Sequence, residues 1–197
     1  MKTVGLCGGS GSGKGTFCSF FEEMGIPCID TDLIYRRLVS SRTPCLNELA
    51  LAFGENIIED DSLNRPVMAS IAFSSPEAHR LLNRITHKHV LGEVRRIISE
   101  CELSGVPGVV VDAPLLFESG FDKECDVTVC VIADIDVRIS RIIERDGINK
   151  EKALARIGAQ IPDEEISARC DYTVENNGSC EELKNEARML AKTIFDI

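Results

Sequence analysis

The amino-acid sequence predicts an α/β fold in which a parallel sheet is covered by helices on both faces. Apolar runs at residues 4–7, 109–111 and 127–132 alternate with segments whose apolar residues recur at helical spacing. The first run leads directly into a glycine-rich loop and a helix, and the second ends at the acidic residue Asp112. Strands that alternate with helices build parallel sheets through right-handed crossovers, so we expect a three-layer arrangement.

Length and charge narrow the classes of function. A chain of 197 residues suits one domain and can bury a full core without disulfides or metals. Its net charge of −10 disfavours nucleic-acid and anionic-membrane partners, because both depend on basic surface. No apolar stretch is long enough to span a bilayer, and Met1 and Lys2 lead straight into the first strand without a signal peptide. We expect a cytoplasmic protein that is a monomer or a weak homo-oligomer.

The nine cysteines are scattered, odd in number and never spaced as Cys-x-x-Cys. Most fall within apolar patterns, where cysteine packs as a small hydrophobic residue. We therefore expect reduced, buried thiols rather than metal ligands or redox centres. They are Cys7, Cys18, Cys28, Cys45, Cys101, Cys125, Cys130, Cys170 and Cys180.

The segment from Gly8 to Thr16 predicts a phosphate-binding loop. Gly8, Gly13 and Lys14 keep the spacing of the P-loop motif, between a predicted strand and a predicted helix. Glycines allow backbone conformations in which successive N–H groups turn inward around an anion, and Lys14 adds a positive charge. The first turn of the helix adds unsatisfied N–H groups at the same place. The predicted nucleotide-binding residues are Gly9, Ser10, Gly11, Ser12, Gly13, Lys14, Gly15 and Thr16.

One position of this loop departs from the motif. A serine or threonine normally follows the lysine as a magnesium ligand, but Gly15 stands there and Thr16 is the nearest hydroxyl. Gly-Lys-Gly-Thr is also found in nucleoside monophosphate kinases, so we interpret Gly15 as a sign of altered metal contact through water. Thr16 is thus the predicted contact to Mg²⁺ at the nucleotide phosphates. The alternative is a flexible turn that merely joins the strand to the helix.

A strand and a pair of acids follow the loop. Apolar residues recur at helical spacing over residues 14–24, and the short apolar run 26–29 then leads to Asp30 and Asp32. Because ligands of open α/β sheets bind at the carboxyl ends of the strands, we expect both acids near the phosphate loop. A carboxylate there can take the proton of an acceptor hydroxyl. The alternative role for these acids is to cap a helix over residues 33–38.

A long helical region separates this strand from the next one. The gap of about seventy residues far exceeds the usual loop of about 4–6 residues, so we expect an insertion. Apolar spacing predicts helices at about residues 46–53, 67–72 and 76–101. Ser75 and Pro76 have the cap and first-turn proline that begin the last of them.

The alternation resumes after the insertion. The run 127–132 is followed by a helix from about residue 136 and by a short strand at 172–174. Ser179 and Glu182 have the spacing of a capping box before the final helix.

Basic residues are concentrated between the last two strands, around a break at Asp146 and Gly147. We interpret this segment as a mobile lid that carries arginines to a transferring phosphate. The alternative is a solvated helix pair with salt bridges, since acidic residues are interleaved. The basic residues are Arg138, Arg141, Arg145, Lys150, Lys152 and Arg156.

A series of motifs occurs in order across nearly the whole chain. It comprises residues 8–14, 29–36, a segment around His87, residues 111–118, Arg145 with Asp146, Arg156 with Gln160, and residues 176–179. Together these motifs resemble the dephospho-CoA kinase family. The loop alone is shared with many kinases, whereas the Asp-x-Asp and Asp-x-Pro-Leu-Leu-x-Glu segments are much more selective.

The resemblance implies a fold and a reaction. The fold is the three-layer parallel sheet of the P-loop nucleotide kinase type, with a helical acceptor-binding insertion and a helical lid. The reaction is the transfer of the γ-phosphate of ATP to the ribose 3′-hydroxyl of 3′-dephospho-CoA, with Mg²⁺, as the final step of coenzyme A synthesis. The small-molecule partners would be ATP and dephospho-CoA.

The resemblance also implies roles for single residues. Asp32 is implied as the catalytic base and Lys14 as the contact to the β- and γ-phosphates. Arg141 and Arg145 would act in catalysis from the lid, and Asn177 would lie near the adenine of ATP. The acceptor side is implied to comprise Asp32, Arg36, His87, Asp112, Pro114, Leu115 and Leu116.

Two features of the acceptor side are open. Lys88 stands where the family usually has a proline, so we expect a reshaped acceptor pocket. His87 has an alternative as a capped or core histidine, and the three histidines lack the spacing of metal ligands.

We expect a single domain over residues 1–197. Its core would comprise residues 1–32, 106–136 and 161–197, with the insertion at about 33–105 and the lid at about 137–160.

Three alternatives for function remain. The acceptor could be another small molecule, such as a nucleoside monophosphate or a shikimate-like alcohol. A GTP- or ATP-dependent switch protein is disfavoured, because the only Asn-Lys pair, at residue 149, lacks the aspartate that guanine recognition needs. An inactive ATP-binding scaffold, with Gly15 as its cause, is the third.

Overall fold

The computed structural model describes residues 1–196. Contacts divide the chain into two compact units, one formed by Met1–Ile29 with Ile98–Ile197 and the other by Asp30–Ile97. The strands are β1 (Lys2–Cys7), β2 (Cys28–Asp30), β3 (Ile58–Glu59), β4 (Ser62–Leu63), β5 (Gly108–Asp112), β6 (Val127–Ile132) and β7 (Tyr172–Glu175). The α-helices are α1 (Lys14–Glu23), α2 (Thr31–Leu38), α3 (Pro44–Phe53), α4 (Arg65–Ala72), α5 (Pro76–Leu103), α6 (Ile135–Asp146), α7 (Lys150–Gly158), α8 (Asp163–Ser167) and α9 (Cys180–Phe195).

The first unit is built on a five-stranded sheet with the order β2-β5-β1-β6-β7. Strand β1 pairs in parallel with β5 on one side and with β6 on the other, and β6 pairs in parallel with β7. The valines of β5, from Val109 to Val111, are fully buried. A strand covered on both faces has no polar side, which is why its sequence is an unbroken apolar run. The predicted α/β fold is confirmed.

Strand order places a topological switch point at β1. After β1 the chain adds β2 and β5 on one side, and then β6 and β7 on the other. Crossovers that leave in opposite directions open a crevice at the carboxyl end of the central strand, where open α/β sheets bind their ligands. The loop after Cys7 begins at this position.

Helices α1 and α9 pack together over one part of the core. The ring centroids of Phe17 and Phe21 are 5.2 Å apart, and those of Phe21 and Phe195 are 6.2 Å apart, both in edge-to-face geometry. The predicted capping box of α9 is confirmed, because the Ser179 hydroxyl accepts from the Glu182 N–H and the Glu182 carboxylate accepts from the Ser179 N–H.

Helices α6 and α7 are separated as the sequence predicts. Gly147 follows α6 with a φ of 64°, a left-handed conformation that glycine adopts without strain. Asn149 caps α7 by accepting from the Lys152 N–H at 3.0 Å.

The second unit is helical, with its own apolar core. Leu46, Leu49 and Met68 are among the buried residues through which α3, α4 and α5 contact one another. The three predicted helices are confirmed. The short hairpin of β3 and β4 was not predicted; Asp60 and Asp61 form its turn with φ values of 47° and 59°.

Within residues 1–196, no helix is both long and apolar enough to cross a membrane.

Candidate nucleotide-binding site

The phosphate loop (Gly8–Thr16) connects β1 to α1 in the first unit. Gly8, Gly11 and Gly13 have φ values of 140°, 80° and 99°, which residues with a Cβ rarely adopt. The Lys14 ammonium folds back over the loop and donates to the Gly8 carbonyl at 2.9 Å. The loop therefore has the backbone conformation that the glycine pattern predicts, with its cation drawn inward.

The first turn of α1 leaves donors available. Gly13 is the N-cap residue and provides no side-chain cap, so the N–H groups of Lys14, Gly15 and Thr16 lack the partner that a capping side chain supplies. The Ser12 hydroxyl is buried and has no hydrogen-bond partner among residues 1–196. Together with the positive end of the helix dipole, these groups suit phosphate oxygens.

Arg138 of α6 holds one side of the phosphate loop. Its guanidinium donates through Nε to the Ser10 carbonyl at 2.9 Å and through Nη1 to Asp163 at 2.8 Å. Gln160 completes the contact, because its side-chain oxygen accepts from the Ser10 N–H at 2.9 Å and from Arg138 at 3.0 Å. Arg138 is only 5% exposed, so this is a buried network in which the charge is paired.

Asn176 and Arg141 hold the other side. The Asn176 amide donates to the Ser12 carbonyl at 2.7 Å. Arg141 donates to the Gly11 carbonyl at 3.3 Å and to the Asn176 side-chain oxygen at 3.3 Å. Carbonyls that are engaged in this way orient the peptide units of the loop, and so fix the direction of its N–H groups.

Sequence reasoning gave no individual site role to Arg138, Gln160 and Asn176, although Arg138 was among the predicted lid residues and the other two lie in the family motifs. A usable signal exists for Arg138, since it precedes Arg141 by three residues and therefore lies on the same face of α6. Asn176 directly follows β7, where a side chain reaches the carboxyl edge of the sheet. For Gln160 the sequence signal is its place in the family motif with Arg156, which does not indicate a contact to the phosphate loop.

Two other predicted nucleotide-side residues lie in different surroundings. Arg145 forms a bidentate pair with the adjacent Asp146 at 2.8 and 2.9 Å, and Arg156 pairs with the same carboxylate. Hydrogen bonds from Arg145 and then Arg156 hold the pKa of Asp146 well below its usual range. Asn177 exchanges hydrogen bonds with Asp134 at 2.7 and 3.0 Å. Within residues 1–196, the side-chain hydrogen bonds of Arg145 and Asn177 go to Asp146 and Asp134 and not to the phosphate loop.

The predicted acceptor residues of the first unit follow β5. Asp112 ends that strand as the register partner of Leu6, and it is half-buried. Pro114 is also half-buried, and Leu115 is 48% exposed. Leu116 is fully buried under β1, where a Cβ at Gly5 would approach its side chain to 2.9 Å. Leu116 therefore supports the segment from inside.

The predicted catalytic base stands on α2 of the second unit. Asp30 is the N-cap, and its carboxylate accepts from the Leu33 N–H at 2.9 Å. Asp32 lies in the first turn and Arg36 lies one turn later, so both exposed side chains project from the same face of the helix. The capping role that the sequence left open for either acid thus belongs to Asp30.

The remaining predicted acceptor residue, His87, is half-buried on α5. The neighbouring Lys88 does not interrupt this helix, which continues from Pro76 to Leu103. Lys88 donates to Glu48 of α3 at 2.8 Å, and His89 contacts the same carboxylate at 2.7 Å. Hydrogen bonds from Lys88 and His89 lower the pKa of Glu48.

Gly15 is not required by packing. It is exposed, and a Cβ built there would find no heavy atom within 4 Å. Thr16 is exposed beside it. Space therefore exists next to the first turn of α1 for a hydrated cation with bound phosphates, which fits Mg²⁺ as a hard, oxygen-seeking ion.

The sequence matches the dephospho-CoA kinase family model over residues 2–182. The chain belongs to the dephospho-CoA kinase family. A relative from Corynebacterium efficiens named dephospho-CoA kinase is 39% identical over 199 residues, and the match covers 100% of both chains. Family membership makes the chain a kinase, that is, a phosphotransferase with an alcohol acceptor.

Two solved structures have the same architecture as this dephospho-CoA kinase family member. TT1252 from Thermus thermophilus superimposes with a TM-score of 0.80 at 33% identity, covering 98% of this chain and 97% of that one. A dephospho-CoA kinase from Campylobacter jejuni gives a TM-score of 0.71 at 22% identity, again covering 98% and 97%. At that lower identity the likeness concerns the fold.

Proposed function

We propose that this chain transfers the γ-phosphate of ATP to the ribose 3′-hydroxyl of 3′-dephospho-CoA, giving coenzyme A and ADP. The observation that carries the proposal is the first turn of α1, where free N–H groups and Lys14 converge in a chain of the dephospho-CoA kinase family. Catalysis of phosphoryl transfer depends chiefly on the positioning of the reactants and on the neutralisation of charge. The N–H groups of this turn can position the phosphates, and Lys14 can neutralise their charge.

The phosphate loop provides the ATP side of the mechanism. An ammonium has three N–H donors, and only one of those of Lys14 is used by the Gly8 carbonyl. We assign the other two to the β- and γ-phosphates, together with the N–H groups that begin α1. Arg141 lies at the loop already, and we assign it to the charge that develops on the transferred group.

Helix α2 provides the acceptor side. Asp32 is exposed and is not used as a cap, so it can accept a hydrogen bond from the 3′-hydroxyl and then its proton. Arg36 presents a guanidinium on the same face, which suits the phosphates of dephospho-CoA. His87, Asp112, Pro114 and Leu115 remain our candidates for further acceptor contacts, with Leu116 packed beneath them.

Magnesium and the remaining residues complete the proposal. Mg²⁺, held by the phosphate oxygens with Thr16 nearby, would neutralise charge on the phosphates during transfer. Arg145 would contribute only after leaving Asp146, and Asn177 would contact the adenine. All nine cysteines lie in the described part of the chain and are free thiols, which supports a reducing, cytoplasmic location.

A panel of acceptors tests the reaction directly. Purified protein with ATP and Mg²⁺ should produce ADP and coenzyme A from dephospho-CoA, detected by chromatography. AMP, shikimate and adenosine serve as competing acceptors in the same assay. Comparable catalytic efficiency with any of them would show that the assigned acceptor is wrong.

The catalytic base is tested by exchanging Asp32 and its neighbour separately. Asp32→Asn removes the proton acceptor, so turnover should fall by about 10²–10⁴-fold while ATP binding persists. Asp30→Asn is the matched control, because asparagine caps a helix as well as aspartate does. Equal losses in the two variants, or normal turnover in Asp32→Asn, would contradict the assignment.

A further inference from the structure

Three cysteines that are distant in sequence converge next to the phosphate loop. Cys7 ends β1, Cys130 lies in β6, and Cys170 lies in the turn before β7. Their sulfur atoms all lie within 4.8 Å of one another, and those of Cys7 and Cys170 are 3.5 Å apart. Within residues 1–196, this is the only group of three or more possible metal-ligating side chains that meet so closely.

The sheet and one turn hold this thiol cluster (Cys7, Cys130 and Cys170) in place. Cys7 and Cys130 are register partners on adjacent parallel strands. Asp171 anchors the turn that carries Cys170, since its carboxylate accepts from the Thr128 N–H and from the Thr128 hydroxyl, both at 2.8 Å. The sulfur atoms are thus brought together by backbone pairing and by an anchored turn.

The three thiols differ in access and in acidity. Cys7 and Cys130 are 0% exposed, whereas Cys170 is only half-buried. Hydrogen bonds with Cys130 and then Cys7 lower the pKa of the Cys170 thiol, whereas hydrogen bonds with Cys130 and then Cys170, together with burial, raise the pKa of Cys7. A partly accessible thiol with a lowered pKa, 3.5 Å from a buried thiol, is the arrangement of a redox-sensitive pair. In such a pair the accessible sulfur reacts with the oxidant, and the buried sulfur then forms the disulfide.

We propose that Cys170 is a site of oxidation by peroxides, and that Cys7 converts the product into a reversible disulfide. In the first step the Cys170 sulfur attacks one peroxide oxygen, so that an S–O bond forms, the O–O bond breaks, and water or an alcohol leaves after protonation. In the second step the Cys7 sulfur attacks the sulfenic acid, an S–S bond forms, and the hydroxyl leaves as water with the Cys7 proton. Two thiols supply the two electrons that reduce the peroxide.

The disulfide would act on the phosphate loop. A disulfide is about 2.05 Å long, so the two sulfurs must approach by roughly 1.5 Å. Cys7 is bonded directly to Gly8, whose carbonyl holds the Lys14 ammonium. Displacement of the Lys14 ammonium by about 1 Å is enough to slow strongly a reaction that depends on the alignment of its reactants. This effect on catalysis rests on the proposed kinase function, whereas the disulfide itself does not.

Peptide mapping tests the modification without reference to activity. Reduced protein is treated with hydrogen peroxide, its free thiols are alkylated, and digests are analysed by mass spectrometry. We expect the Cys7 and Cys170 peptides to become linked with loss of two hydrogens, and to be released by dithiothreitol. Cys28 is the internal reference, because it is also half-buried and its thiol donates to the Cys18 carbonyl at 3.2 Å.

Three results would overturn the modification. One is oxidation of Cys28 or Cys180 at least as fast as that of Cys170. The second is a disulfide that joins Cys7 to Cys130, with Cys170 still alkylated. The third is a zinc or copper ion that co-purifies with the thiol cluster, measured by elemental analysis, and keeps it reduced under peroxide.

Activity and ATP binding test the consequence. Oxidation should lower turnover by about tenfold or more, dithiothreitol should restore it, and Cys170→Ser should resist the loss while Cys28→Ser should not. An active enzyme whose disulfide forms without any loss would refute the link to the phosphate loop. If the reduced protein has no kinase activity, the proposed function fails instead, and ATP affinity before and after oxidation then tests the same link.

Discussion

The phosphate loop and helix α2 hold their functional groups in different ways. In the loop the proposed binding groups are backbone N–H groups, and Arg138, Arg141 and Asn176 donate hydrogen bonds to the neighbouring carbonyls. In α2 the proposed catalytic group is the Asp32 side chain, on a helix that is capped by Asp30 and buries Ile34.

This difference indicates where each region is vulnerable. A peptide unit that must point its N–H at a ligand depends on whatever fixes its carbonyl, so side chains outside the loop control its affinity. A carboxylate on a regular helix depends on its own position in the turn. Mutations around the loop should therefore lower the affinity for ATP, whereas mutations around Asp32 should slow the chemical step.

Loss of the loop cation should have the largest effect. Lys14→Met keeps most of the side-chain volume but removes the charge, so turnover should fall by about a thousandfold and ATP affinity should fall with it. Steady-state kinetics and calorimetry measure the two. Lys184→Met, which removes an ion pair with Glu23 in the same unit, is the control. A Lys14→Met enzyme that retains a tenth of normal turnover would show that the loop is not the phosphate site.

Loss of Arg138 should lower the stability of the protein through its buried ion pair with Asp163. Arg138→Met leaves the Asp163 carboxylate, which is only 20% exposed, without its cation, so the free energy of unfolding should fall by about 3–5 kcal/mol. Arg145→Met is the matched comparison on the same helix. Its ion pair is exposed, so stability should change by less than about 1 kcal/mol. Denaturant titration measures the free energy of unfolding of both variants. Equal losses in Arg138→Met and Arg145→Met would contradict the stronger structural role of Arg138.

Two adjacent asparagines should separate phosphate from adenine recognition. Asn176→Ala frees the Ser12 carbonyl, so affinity for ATP and for inorganic triphosphate should fall alike, by about tenfold. Asn177→Ala should lower the affinity for ATP but not that for inorganic triphosphate, if Asn177 contacts the adenine. Calorimetry with the two ligands distinguishes these outcomes. If Asn177→Ala weakened the binding of both ligands and Asn176→Ala weakened that of ATP alone, Asn177 would serve the phosphate loop and Asn176 the adenine.

The smallest effect is expected from an anion at the start of β7. Hydrogen bonds from Thr128 lower the pKa of Asp171, so its ionised form is favoured in the folded state. This contribution is fully present above the ordinary aspartate pKa of about 4 and is lost as pH falls through the lower folded value. Because the carboxylate is largely exposed, we expect less than about 1 kcal/mol. Denaturation of the wild type and Asp171→Asn should differ at pH 7 and converge near pH 2; a constant difference would contradict this account.

Many features of the fold could be predicted because they depend on neighbours in sequence. Glycine spacing predicted the loop conformation, Ser179 and Glu182 predicted a cap, and Gly147 predicted a helix break. The β3–β4 hairpin was missed, since its strands have two residues each and give no periodic signal. The buried thiols were expected from their apolar surroundings, but their convergence was not.

The sequence by itself determined the alternation of strands and helices in the α/β core, the conformation of the phosphate loop and the family. Tertiary structure decided which of several similar side chains serves the loop: Arg138 and not Arg145, Asn176 and not Asn177. It also brought together Cys7 and Cys170, which are 163 positions apart. The physical reason is that strand register and crossovers fix these distances, and such long-range pairings leave no periodicity in the chain.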